Sequence, residues 1–245
     1  MSGEIFEILL LIGRPASGKS EIIDFLNHTP LNLRRQRFHV GELDVLDDFP
    51  LLWAWLEEDA LLAERFGLPP LHTDEGGYFR HPAYWHVLLE RLSLEYHKRR
   101  RDMADYHRRF TTLIEFSRGS EHGGYRQALP HLSDDILGRA AVLYVRVSFA
   151  ESLRKNRRRF NPQRPDSILE HGLSDEKMER LYRLDDWDEL APVPFGWLEV
   201  NARRMPYAVF ENEDDVTTAQ PDRLAARLET TLGQLWNLRQ AGQPA

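Results

Sequence analysis

The 245-residue sequence predicts an α/β fold, three layers deep around a five-stranded and mainly parallel sheet. Two observations carry this. Short apolar runs rich in Ile, Val and Phe alternate with longer stretches at helical spacing, and no repeat or low-complexity segment interrupts them. Strands separated by helices make right-handed crossovers, and so a parallel sheet. A composition of 42% hydrophobic residues, with 15 Gly and 14 Pro spread along the chain, is that of one globular domain or a closely fused pair, and a single domain spanning residues 1–245 is expected.

In order, the expected strands are residues 5–12, 37–40, 112–116, 141–147 and 207–210, with 197–200 as an extra candidate. Helical spacing covers 19–27, 51–66, 83–109, 125–138, 149–159, 175–182 and 222–239. In the last of these, Leu224, Leu228, Leu232 and Leu235 keep one apolar face, as expected of a helix packed on the sheet. Residues 68–82 carry three prolines and two adjacent glycines, and 161–173 carry Pro162 and Pro165, so both are expected to be loops or flaps.

There are 39 acidic and 32 basic residues, a net charge of −7, and no cysteine. Disulfides, thiolate zinc sites and cysteine nucleophiles are excluded, which leaves carboxylates, His, Lys, Arg and hydroxyls for chemistry. Only four of the basic residues are lysines and 28 are arginines. The acidic balance argues against nucleic acid as a partner, while arginine's planar fork suits phosphate wherever it clusters. The apolar stretch at residues 8–12 is far short of the ~18 residues of a membrane span. No signal-peptide pattern precedes it. The expectation is a soluble, cytoplasmic protein.

Gly13, Arg14, Pro15, Ala16, Ser17, Gly18, Lys19 and Ser20 match GxxxxGK[ST], directly after a strand pattern and directly before a helix. Glycines let the backbone wrap a phosphate and aim N–H groups at it, and the following helix adds its positive end. Lys19 suits the β- and γ-phosphates and the Ser20 hydroxyl suits Mg²⁺. With these eight residues the sequence resembles the P-loop nucleoside triphosphatase superfamily. There is no NKxD-like guanine segment, no LSGGQ-like signature and no long apolar strand ending in Asp-Glu. What remains resembles the small-molecule kinases that act on nucleosides, nucleotides and related metabolites. The resemblance implies a P-loop kinase-like sheet with a helical lid inserted at about 149–173, an acceptor-covering region at about 44–109, and ATP with Mg²⁺ as cofactors.

Residues 111–119 put Glu115 at the carboxyl edge of the sheet, where ligands of open α/β sheets bind, and Arg118 three residues on. The segment is similar to the acid-then-arginine motif of nucleoside and nucleotide kinases, with the arginine offset. By that resemblance Glu115 holds Mg²⁺ or orients the acceptor, and Arg118 grips a phosphate or the substrate. The strand expected at 37–40 leads into Glu42 and Asp44. An acid at this point takes the proton of the acceptor hydroxyl in the kinases it resembles, and the sequence does not choose between the two. Asp47 and Asp48 read as the start of the next helix.

Residues 154–159 hold five cations in six positions, with Arg154, Arg157 and Arg158 at i, i+3 and i+4 on one helix face. They match the lid helix of nucleotide and metabolite kinases, whose arginines close over the transferred group: Arg154 and Arg158 as catalytic groups, Arg157 on the nucleotide. Residues 98–101 with Arg108 and Arg109 mix with acids and read as an exposed, salt-bridged helix. Asn212 and the acids after it are similar to the adenine-lining turn of guanylate-kinase-like proteins, and a helix-capping turn explains the same residues. The function expected is ATP- and Mg²⁺-dependent phosphoryl transfer to a small-molecule acceptor, a nucleoside or nucleotide first. The alternatives are a nucleotide-binding switch that hydrolyses slowly and a toxin-like nucleotide-sugar kinase. Lys19→Ala is expected to abolish Mg-ATP binding in calorimetry; an unchanged affinity overturns the phosphate-loop reading.

Overall fold

Strand β1, Ile8–Gly13, reads ILLLIG and is buried at every position. Such a strand must be covered on both faces. Ile8, Leu10 and Ile12 pack into one layer and Leu9 and Leu11 into the other, as the two-residue period of a strand requires. The structure is a computed structural model and describes residues 4–159 and 173–242. After β1 come α1 (Lys19–His28), α2 (Leu31–Phe38), β2 (Glu42–Asp47), α3 (Phe49–Phe66), α4 (Ala83–Asp102), α5 (Tyr106–Arg109) and β3 (Phe110–Phe116). Then follow α6 (Gly124–Ala128), α7 (Asp134–Arg139), β4 (Ala140–Arg146), α8 (Phe149–Arg159), α9 (Asp175–Tyr182), α10 (Trp187–Leu190), β5 (Phe195–Val200), β6 (Arg203–Glu211) and α11 (Pro221–Ala241).

The sheet has six strands in the order β2-β3-β1-β4-β6-β5. All neighbours are parallel except β5 with β6, so the extra candidate at 197–200 is an antiparallel edge strand. The order turns back at β1, which creates the crevice where α/β folds bind ligands. One layer packs Ile22 and Leu26 of α1, Phe38 of α2 and Leu224, Leu228, Leu232 and Leu235 of α11 on the sheet. The other packs Leu89, Leu92 and Tyr96 of α4, Tyr125, Ile136 and Trp187, with Trp187 stacked flat on Tyr144 at 4.3 Å. Together these make a three-layer α/β fold. Among the described residues, no helix is long and apolar enough to cross a membrane.

The expected second strand is displaced. Residues 37 and 38 end α2, His39 caps it in the left-handed region at φ 54°, and the strand runs over Glu42–Asp47 instead. Gly41 makes the join: a Cβ there would lie 2.5 Å from the Arg109 carbonyl oxygen. The expected helix at 83–109 breaks at Met103, which is extended at φ −135°. That at 125–138 tightens into a 3₁₀ turn over Leu129–His131 and breaks at Leu132, which is extended at ψ 142°, and Ser133 caps the next helix through the Ile136 amide.

Helix α3 lies outside the two main layers, and Asp59 is its only buried residue. Its carboxylate accepts the amides of Leu71, His72 and Thr73 and the Thr73 hydroxyl, at 2.7 to 3.1 Å. Burial opposes the charge, but these donors outweigh it and hold the carboxyl down at about 2. The loop after α3 is thereby tied to it, closing through the Thr73–Phe79 bridge. Asp59→Ala is expected to speed hydrogen exchange at the amides of residues 71–73 at least tenfold, with the β1 amides unchanged. Exchange at wild-type rates would remove Asp59 as the anchor.

Candidate functional site

The loop between β1 and α1 closes on backbone conformations that its glycines permit. Gly13 has φ 154°, and a Cβ there would meet the Val145 carbonyl oxygen at 2.5 Å. Gly18 has φ 111°, and its Cβ would lie 2.5 Å from Asn212 Nδ2. Outside groups hold the loop. Asn212, fully buried, donates to the Ser17 carbonyl at 2.7 Å and to Thr217 Oγ1 at 2.9 Å. Ser152 of α8 donates to the Pro15 carbonyl at 2.7 Å. Arg14 turns away, donating to the carbonyls of Val147, Tyr182 and Arg183 and pairing with Asp185 at 3.0 Å. Arg14 and Asn212 therefore brace the loop.

Lys19 is 5% exposed. Its ammonium donates to the Arg14 carbonyl at 3.0 Å and to Ser117 Oγ at 2.9 Å, with Glu115 at 3.8 Å. Burial lowers its pKa, and Glu115 and Asp47 oppose that shift. Ser17 Oγ is buried without a partner, and the first-turn amides of α1 have no intrahelical acceptors. A cradle of orphaned donors around a lysine held by its own loop's carbonyls fits a polyphosphate. Ser20, Glu115 and Asp47 line the same cavity and are the hard oxygen donors that fit Mg²⁺. Among the described residues, no three His, Asp or Glu gather closely enough to hold a metal by themselves, so phosphate and water oxygens would complete the set.

The register of β2 on β3 sets Asp47 level with Glu115. Glu42 and Asp44 are not at the site. Glu42 sits five residues earlier, about 16 Å along the strand, in a two-pronged pair with Arg109 at 2.9 Å, while Asp44 is held by Arg99 and the Tyr106 hydroxyl. This follows from the displaced strand: its carboxyl end is Asp47, with Asp48 next. Asp47 also caps α3 through the Phe49 amide at 2.9 Å, so its expected helix-start role holds alongside its place in the site. The alternation of Leu43 and Val45 with acids in 42–47 is the sequence signal for the true strand.

Burial, then Glu115 and Asp48, pushes the Asp47 carboxyl up to about 7. Burial likewise raises Glu115, against the pull of Lys19. Asp48 pairs with Arg118 at 2.6 Å. Arg118 is 1% exposed, donates also to the carbonyls of Ser117 and Trp85, and lies beneath the Trp85 ring. Its two terminal nitrogens are spent inside the protein, so it positions Asp48 and Trp85.

Residues 160–172, which include most of the expected lid loop, lie outside the described residues. On α8 the shared face of Arg154, Arg157 and Arg158 exists but turns from the cavity. Arg154 and Arg158 reach Asp215 at 3.1 and 3.2 Å, and Arg157 reaches Asp175 at 2.6 Å. Lys155 joins them on Asp215 at 2.8 Å. Asn156 and Arg159 line the cavity instead. Beyond the phosphate loop the cavity, of about 230 Å³, runs on between Phe49, Leu52, Tyr78, Phe79, Trp85 and Tyr182. Of the residues in the 68–82 loop, Tyr78 and Phe79 line this chamber, whereas Asp74 and Arg80 bond within the loop and the His72 ring bonds to Asp59 of α3.

No protein-family model matches the chain, and no curated protein matches its sequence. Among solved structures it is similar to an unliganded sugar kinase from Janibacter sp., at 15% identity over 93% of this chain and 94% of that one, with a TM-score of 0.40. It is also similar to Chaetomium thermophilum Kti12 in complex with ADP-AlF3, at 13% identity over 94% and 97% of the two chains, with a TM-score of 0.48. At these identities the likeness concerns the fold alone.

The raised Asp47 carboxyl has a consequence for stability. The folded chain binds this proton more tightly than the unfolded chain, whose Asp titrates near 4. Its contribution is therefore full below about pH 4 and is lost as pH rises through about 7. In buffer with chelator, Asp47→Asn, which keeps an oxygen for the Phe49 amide, is expected to melt above wild type at pH 8 and with it at pH 4. A lower melting temperature at pH 8 would refute the buried, repelled carboxylate.

Proposed function

We propose that the chain is an ATP- and Mg²⁺-dependent phosphotransferase that moves the γ-phosphoryl group to a hydroxyl of a small, ring-bearing metabolite. One observation carries this: Asp47 stands where the phosphate cradle opens into an aromatic-walled chamber. A switch that only hydrolyses nucleotide has no use for such a chamber, so the transferase is favoured.

In this reading the backbone of residues 13–20 holds the polyphosphate, and Lys19 exchanges the carbonyls of its own loop for phosphate oxygens. Ser20 and Glu115 would hold Mg²⁺, which when bound supplies charge neutralisation at the transferred group. Asp47 accepts the proton of the acceptor hydroxyl as the new P–O bond forms and the bond to ADP breaks. Asp48, fixed by Arg118, keeps the floor of the chamber rigid. Arg159 and Asn156 take the lid-side place that the sequence assigns to Arg154, Arg157 and Arg158, and these three instead fasten α8 through Asp215 and Asp175. Tyr78 and Phe79, held by the Asp59 anchor, shield the transfer from water.

Labelled γ-phosphate transfer to a panel of nucleosides, nucleotides and sugars, with mass spectrometry of the products, tests the reading. One acceptor is expected to be phosphorylated, and phosphate release with no acceptor labelled would favour the switch. With that acceptor, Asp47→Asn is expected to cut kcat by about 100-fold or more, the scale of general-base loss, while Mg-ATP affinity stays within about threefold. Equal losses in both would make Asp47 a nucleotide-binding group instead.

A further inference from the structure

His122 ends a short 3₁₀ turn, Ser120–His122, in the wall of the chamber, and is 3% exposed. Its Nδ1 lies 3.3 Å from the Gly119 amide, which can only donate. Nδ1 is therefore the bare nitrogen, and Nε2 carries the ring proton. Burial, then Arg118 and His86, keeps the ring uncharged, with its pKa down at about 3. The imidazole is thus a neutral group with one donor to offer, and that donor, Nε2, is buried with no partner. Arg118 Nε is a second buried donor without a partner on the same wall.

Native folds pair their buried polar groups, and an exception needs a reason. The surroundings of His122 supply no acceptor. Trp85 stacks on its ring at 3.8 Å, and Tyr182 meets it edge-on at 5.3 Å. These are flat apolar surfaces, suited to a planar ring, with donors set behind them.

We infer that His122 reads the acceptor molecule, its Nε2–H donating to a ring carbonyl of a planar heterocycle that stacks against the aromatic wall of the chamber. The inference rests on the phosphotransferase reading for the identity of the chamber and deepens it by naming the substrate class: an oxo-substituted heterocyclic nucleoside. A neutral donor discriminates by leaving itself unpaired when the carbonyl is missing, which is how buried polar sites reject an analogue that lacks one group.

Two probe pairs isolate the carbonyl: inosine against purine riboside, and uridine against its 4-deoxy analogue. Calorimetry on the full chain with ADP and Mg²⁺ present is expected to show the oxo member of at least one pair binding tenfold or more tightly. His122→Leu should bring the two members within threefold of one another, and His122→Gln, which keeps an N–H donor, should restore part of the preference. ADP affinity unchanged in both variants shows that they fold with the phosphate loop intact. A preference that survives in His122→Leu, or no nucleoside binding by the wild type, overturns the inference. If the preference appears but no labelled phosphate reaches the oxo nucleoside, the phosphotransferase reading fails while His122 keeps its role as a reader.

Discussion

The carboxyl edge of the sheet is organised around one buried ammonium. Lys19 lies where the phosphate loop, the end of β3 and the end of β2 converge, and its charge has left water for a site walled by backbone carbonyls and the Ser117 hydroxyl. A buried cation is tolerated only with compensation. Glu115 and Asp47 supply it, their charges opposing the cost of burial. The loop must wrap tightly for this to work, which is why Gly13 abuts Val145 and Gly18 abuts Asn212 with no room for a side chain.

The same crowding that neutralises Lys19 sets the three carboxylates against one another. Asp48 resolves its share by pairing with Arg118. Glu115 stays near Lys19. Asp47 has no cation within ion-pairing distance among the described residues, and burial with its acidic neighbours pushes it up to about 7. Burial raises all three acids, and each meets that cost with a different partner: Arg118 for Asp48, Lys19 for Glu115 and the Phe49 amide for Asp47.

Most arginines are consumed by the architecture. Arg14, Arg118, Arg154, Arg157 and Arg158 stand at positions where phosphate contact is a natural expectation, and each has carboxylate or carbonyl partners within the fold. Arg99 and Arg109 occupy Asp44 and Glu42 in the same way at the far end of β2. The planar fork that suits phosphate suits a carboxylate equally, so arginine spacing on a helix marks a shared face without saying what the face meets.

The phosphate loop and Glu115 were legible because their signals are local: a strand, a glycine-rich turn and a helix start in the first case, the last turn of an apolar strand in the second. The alternation of elements gave the α/β class for the same reason. The partners of those groups were not legible. Asp47 reaches the site through the pairing of β2 with β3, and a strand misplaced by five residues moved the expected acid to Glu42 and Asp44. The Asp48–Arg118 pair spans 70 residues and the Asn212–Ser17 bond spans 195. From the sequence alone come the fold class and the phosphate cradle, since backbone conformation and helix polarity are written within a few residues. Only the tertiary structure decided which carboxylate faces the cradle, which arginines are already engaged and which histidine is left with an unpaired proton, since each depends on what distant segments bring within hydrogen-bond reach.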